Sequence, residues 1–298
     1  MNGFLNILKP PGMTSAGVVG HVKWLLKGEK VGHAGTLDPE AAGVLPLMIG
    51  RAARLFDYLV DKEKAYVAEV AFGASTDTQD AQGKVLQRGG DLPDRERILA
   101  ALPQLEGVIT QIPSAFSAIK QNGRPLYDMA RKGEAVDVPA RQVEVKNIAL
   151  GEQTSPEGWM LHIRCGKGTY VRTLCHDLGL LLDCPAHMRF LLRSQSGFFT
   201  LDNAVTLEQL HEAKENGTLN DLLLPMDAPL GHLPQVIVPQ WLKKPCQNGA
   251  KLPLNAFRKQ LGEGDQTRPI RIYQDGHFYG IGEVREDKLA FKAMFPAE

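Results

Sequence analysis

The chain has 298 residues, 43% hydrophobic and 23% charged, enough to bury a large core and carry a smaller second unit. Its 34 basic and 34 acidic side chains cancel, so any nucleic-acid partner must be gripped by local clusters and not by net charge. The opening MNGFLNILKPPGMTS lacks the layout of a secretory signal and no stretch holds 18 consecutive apolar residues, so a cytoplasmic chain without a membrane span is expected.

In chain order, Thr14 or Ser15 can cap a helix whose apolar residues, Val18, Val19, Val22, Leu25 and Leu26, share one face. GHAGTLDPEAAG (32–43) is a glycine-rich turn around Asp38, and VLPLMIG after it suits a short buried strand. RAARLFDYLVD has the spacing of an amphipathic helix. KAYVAEVAFG alternates, with Tyr66, Ala68, Val70 and Phe72 on one face.

Residues 111–142 are irregular apart from a short helix near Pro125, which suggests an excursion from the main sheet. GWMLHIRC is a strand with Trp159, Leu161, Ile163 and Cys165 on one face. It leads through GKGTY into a helix carrying Val171, Leu174, Leu178 and Leu181. A capping box from Thr206 to Gln209 opens another helix. Pro225, Pro229, Pro234 and Pro239 mark a linker. The runs QVIV, RIYQ, HFYGIGEV and LAFKAMF then suggest a small β-barrel.

Several candidate chemistries arise. The strand, glycine turn and helix over 159–182 could cradle a phosphate, but His162 stands where a nucleotide P-loop needs glycine; a plain connection is an equal alternative. Arg164, Lys167, Arg172, Arg189 and Arg193 make this region locally basic, and a solvated face would explain such a run. Tyr170, near Arg172, adds the aromatic partner that stacks on unpaired bases. The four cysteines (165, 175, 184, 246) form no C-x-x-C pair and are expected to be reduced thiols, with no metal site. Asp38 can be a helix N-cap or a carboxylate nucleophile or base; no second ligand nearby favours metal.

GHAGTLDPEAAGVLPLMIGRAARL resembles the catalytic motif of the TruB family of tRNA pseudouridine synthases. NILKPPGMTS, KAYVAEVAFGASTDT, RCGKGTYVRTLCHDLG and the thumb-like IPSAFSAIKQNGRPLY extend the likeness over nearly the whole chain. The resemblance implies an α+β fold with a large mixed or antiparallel sheet, flanking helices and a thumb insertion. It implies a catalytic domain over 1–232, with the thumb at about 111–142, and a PUA-like RNA-binding barrel over 233–298.

It also implies isomerisation of the uridine at position 55 of the tRNA T loop, with no cofactor and no metal. Asp38 would be the nucleophile, attacking ribose C1′ or uracil C6, and Arg172 should lie against it to favour the ionised carboxylate. Tyr66 would stack on the flipped uracil and assist proton transfer, while His33 would fill the gap left in the RNA. Tyr170 and Leu191 would contact substrate, and Lys9 and Pro10 would support the site. Phe116 stands where many relatives have tyrosine.

Two rivals remain at this stage: an RNA-binding or tRNA-folding protein without turnover, and a pseudouridine synthase acting on another RNA. A monomer without an obligate protein partner is expected.

Overall fold

The computed structural model describes residues 1–59, 63–117, 120–121, 123–134, 136–262 and 268–296. Among them, nine strands form one mixed sheet. They are β1 (Gly3–Lys9), β2 (Val31–His33), β3 (Ala42–Ile49), β4 (Lys64–Phe72), β5 (Gly107–Gln111), β6 (Arg141–Gln153), β7 (Gly158–Cys165), β8 (Ala186–Ser196) and β9 (Phe199–Thr200). Their order is β1-β3-β8-β4-β7-β6-β5, with β2 on β3 and β9 on β8. Only β3 and β8 pair in parallel.

The alternating strands bury the faces that their sequences mark. Tyr66, Ala68, Val70 and Phe72 of β4 meet Trp159, Leu161, Ile163 and Cys165 of β7 in the main core. Against this core pack α2 (Arg95–Ala101) and α4 (Val171–Leu181), while α1 (Ser15–Leu25) packs on β1 and β3 in a second cluster and α3 (Leu126–Arg131) lies in the excursion between β5 and β6. Thr14 caps α1 by accepting from Gly17 N at 2.9 Å. The helix α5 (Leu207–Glu215) opens with the expected reciprocal cap: Gln209 N donates to Thr206 Oγ1 at 3.2 Å, and Thr206 N donates to Gln209 Oε1 at 2.8 Å.

Three local expectations are corrected. RAARLFDY forms a 3-10 helix, Gly50–Tyr58, and not an α-helix; Ala52 and Leu55, three apart, both point into the core, which suits three residues per turn. Val60 and Asp61, the end of that expected helix, lie outside the described residues. Leu181 is exposed; Leu182, four after Leu178, takes the buried place. The basic run from Arg164 to Arg193 is not one solvated face, because Arg172 and Arg193 point inward while Arg164 and Arg189 pair with Glu63, Glu69 and Glu157.

The C-terminal runs form β10 (Gln235–Ile237), β11 (Leu252–Pro253), β12 (Ile270–Gln274), β13 (His277–Arg285) and β14 (Lys288–Met294). Their order is β10-β12-β13-β14-β11, the small barrel-like C-terminal sheet that the sequence leads one to expect. The proline-rich stretch before it is packed. Leu230 and Leu233 share a buried cluster with Phe4 and Met48 of the large sheet, with Ile281 of the small one and with Phe295 just after it. Tyr273 donates its hydroxyl to Asp227 at 2.6 Å across the same junction.

Candidate active site

The loop between β2 and β3 is pinned from beneath. Lys9, fully buried, donates its three ammonium hydrogens to the carbonyls of Pro10, Met13 and Pro39 at 2.8, 2.6 and 2.8 Å. Ser15 Oγ accepts from Leu37 N at 2.9 Å and donates to Leu37 O at 3.0 Å. Arg193, also buried, donates to the carbonyls of Val44, Thr36 and Gly35 at 2.9, 3.2 and 3.4 Å.

Gly43 is required by this arrangement. Its φ is +114°, and a Cβ there would meet the Arg193 carbonyl oxygen at 2.2 Å, in the parallel contact of β3 with β8.

Asp38 sits at the tip of this loop and caps no helix: residues 39–40 form a turn and β3 follows. Its side chain is 40% exposed, while Arg172 is 5% exposed and brings Nη1 to 3.4 Å from Asp38 Oδ2. The contact expected between these two residues, far apart in sequence, is present. Arg172 also lies 3.6 Å from Asp80 Oδ2 and donates from Nη2 to the Phe116 carbonyl at 2.8 Å. A cation in the first turn of α4 is disfavoured by the helix dipole; two carboxylates and a carbonyl offset that cost.

Tyr66 of β4 pairs across the sheet with Arg193 of β8. Burial, opposed by the nearby Arg193 cation, holds the Tyr66 phenol above the ordinary range. Tyr170 precedes α4 and is fixed by Gln111 of β5, which donates to Tyr170 O at 3.2 Å and accepts from Tyr170 N at 3.0 Å. The Tyr170 ring carries two guanidinium neighbours, Arg172 at 5.4 Å and Arg141 at 5.5 Å from its centroid.

Asp38, Tyr66, Tyr170, Arg172 and Leu191 line one cleft of about 240 Å³. That is just under the roughly 300–1,000 Å³ of sites for drug-sized ligands and suits one single-ring base and its sugar. His33 is not among its lining residues. It ends β2, half-buried, with Nδ1 unpartnered, and burial together with the Arg193 charge lowers its pKa below the ordinary imidazole value. Phe116 contributes its main-chain carbonyl, which needs no side-chain hydroxyl.

Two residues of the site are not singled out as such by the sequence analysis. Asp80, the second carboxylate on Arg172, lies in no periodic element. Arg193 did carry a signal: it stands two residues after buried Leu191 on a strand, and so on the same inward face.

The arrangement supplies a carboxylate beside a buried cation, a phenol near a second cation, and an aliphatic wall from Leu191. The TruB family pseudouridylate synthase N-terminal domain matches residues 23–171, and the tRNA pseudouridylate synthase B C-terminal domain matches residues 172–231. The chain is 42% identical to the tRNA pseudouridine synthase B of Alkaliphilus oremlandii over 96% of its own length and 94% of that protein's. It is 41% identical to that of Stutzerimonas stutzeri over 100% and 97%. Among solved structures it resembles a chain of an H/ACA RNP bound to a substrate RNA containing 2′-deoxyuridine. There the TM-score is 0.74 at 25% identity, covering 99% of this chain and 85% of that one. The chain therefore belongs to the TruB family and is a pseudouridine synthase, an isomerase.

Proposed function

We propose that the chain isomerises the uridine at position 55 in the T loop of tRNA to pseudouridine, with Asp38 as nucleophile. The observation that carries this reading is the half-exposed Asp38 carboxylate held at 3.4 Å by a buried guanidinium inside a base-sized cleft. The relatives' name supports tRNA as the RNA.

In this reading the target nucleotide leaves its stack and enters the cleft. Leu191 and Tyr66 receive the base, and Arg172 holds the Asp38 carboxylate in place for attack. Asp38 bonds to C1′ as the C1′–N1 bond breaks, or adds to C6 of the base; the base turns, C5 bonds to C1′, and the bond to Asp38 is released. C5 then loses its proton and N1 regains one, so the atoms balance without hydrolysis or redox. Tyr66, its phenol held above the ordinary range by burial, keeps its hydrogen to donate toward the base. The barrel-like unit over 233–298 acts as a PUA-like RNA-binding domain, and residues 1–232 act as the catalytic domain with the thumb over 111–142. His33, outside the cleft, occupies the gap left in the RNA.

The test is position-resolved detection of pseudouridine in a T-arm transcript and in full tRNA. Pseudouridine should form at position 55 and at no other uridine. Product at a different uridine, or only in an unrelated RNA, would overturn the assignment.

A further inference from the structure

We propose that Arg141 binds a backbone phosphate of the RNA next to the reacting nucleotide. The inference rests on the reading of the cleft as a uridine site in RNA and adds a residue to it. Arg141 lines the same cleft as Asp38. It starts β6 opposite Gln111, the residue that clamps Tyr170, so the strand pair fixes its backbone.

The other two arginines of the cleft are occupied. Arg172 is held by Asp38, Asp80 and the Phe116 carbonyl, and Arg193 by three carbonyls. Arg141 is different. Among the described residues its guanidinium meets no carboxylate and no hydrogen-bond acceptor, and its Nε is buried without a partner. What it touches is the Tyr170 ring, 5.5 Å away, and the GKG turn, where a Cβ on Gly168 would lie 3.8 Å from Nη1.

A half-buried guanidinium is donor-only and planar, and its fork matches two oxygens of one phosphate. A uracil edge suits it less, because the base sets an N–H donor between its two carbonyls. Any nucleotide that reaches Asp38 brings flanking phosphates with it. The free fork, one tyrosine ring away from Arg172, is placed to take one of them.

The experiment measures binding and single-turnover conversion of a T-arm stem-loop by the full chain at several salt concentrations. It uses wild type, Arg141→Gln and Arg141→Lys, and RNAs in which one phosphate at a time around the target uridine is a neutral methylphosphonate. Arg141→Gln should weaken binding roughly ten- to hundredfold and reduce the slope of log affinity against log salt by about 0.7. One methylphosphonate should cost wild type a similar factor and cost Arg141→Gln nothing further. Arg141→Lys should restore the salt slope while recovering only part of the affinity, because it keeps the charge and loses the fork.

An unchanged salt slope in Arg141→Gln, or losses that multiply at every phosphate, would overturn the proposal. A lower rate with an intact slope would make Arg141 a prop for Tyr170 and would overturn it too. Failure of wild type to convert the unmodified stem-loop would instead refute the functional reading beneath it.

Discussion

The surroundings of Arg172 and those of Arg193 bound the same cleft but treat a buried cation differently. Arg172 lies between two carboxylates, 3.4 Å from Asp38 and 3.6 Å from Asp80, so its charge is matched and its effect falls on an ionisable neighbour. Arg193 and nearby Lys9 bond chiefly to main-chain carbonyls, which orient a loop without neutralising the cation. Burial lowers the pKa of both below the ordinary range, Lys9 to about 8. A cation facing carboxylates tunes chemistry; one facing carbonyls fixes backbone. Both are needed to present one aspartate at one angle.

The contrast has measurable consequences. Arg172→Lys keeps a charge but loses the fork that reaches Asp38, Asp80 and Phe116. Single-turnover conversion at saturating RNA should fall by about 10² or more, with unfolding by denaturant little changed. Arg193→Met should show the opposite weighting. Three carbonyls lose their donor, and stability should drop by about 1–3 kcal/mol by denaturant titration, with a smaller loss of rate through the misplaced loop and Tyr66.

Lys9 adds a pH signature. Below about pH 8 its ammonium supplies all three donors; above that it loses a proton and one carbonyl loses its bond. A pH–rate profile should therefore decline as pH rises through about 8, and Lys9→Met should show the reduced rate on both sides of that value. The smallest effect is expected away from the cleft. Tyr273→Phe removes the bond to Asp227 at the junction with the C-terminal sheet. It should cost about 0.5–1.5 kcal/mol by denaturant titration and leave the rate at saturating RNA unchanged.

What could be read from the sequence divides along the same line. Asp38, Tyr66, Tyr170, Arg172 and Leu191 fall in contiguous motifs or on alternating strands, and the structure brings all five to one cleft. His33 lies in the same motif but outside that lining, at the end of β2 and half-buried. Arg193 was visible only as one cation in a basic run. Its spacing from Leu191 puts the two on one face, and β8 pairing with both β4 and β3 turns that face inward. Asp80 is a long-range partner from an irregular turn. The 3-10 character of 50–58 was hidden because apolar residues three apart suit either helix. Prolines suggested a free linker; the apolar Leu230 and Leu233 among them decided otherwise by packing.

The central claim is that the Asp38 carboxylate, and not the shape of the cleft around it, performs the reaction. It is tested most directly by measuring affinity and pseudouridine formation together for Asp38→Asn with a T-loop transcript at saturating enzyme. The amide is nearly isosteric and cannot attack, so RNA should bind within a few-fold of wild type while product stays undetectable. Pseudouridine formed by Asp38→Asn at a rate near that of wild type would contradict the account.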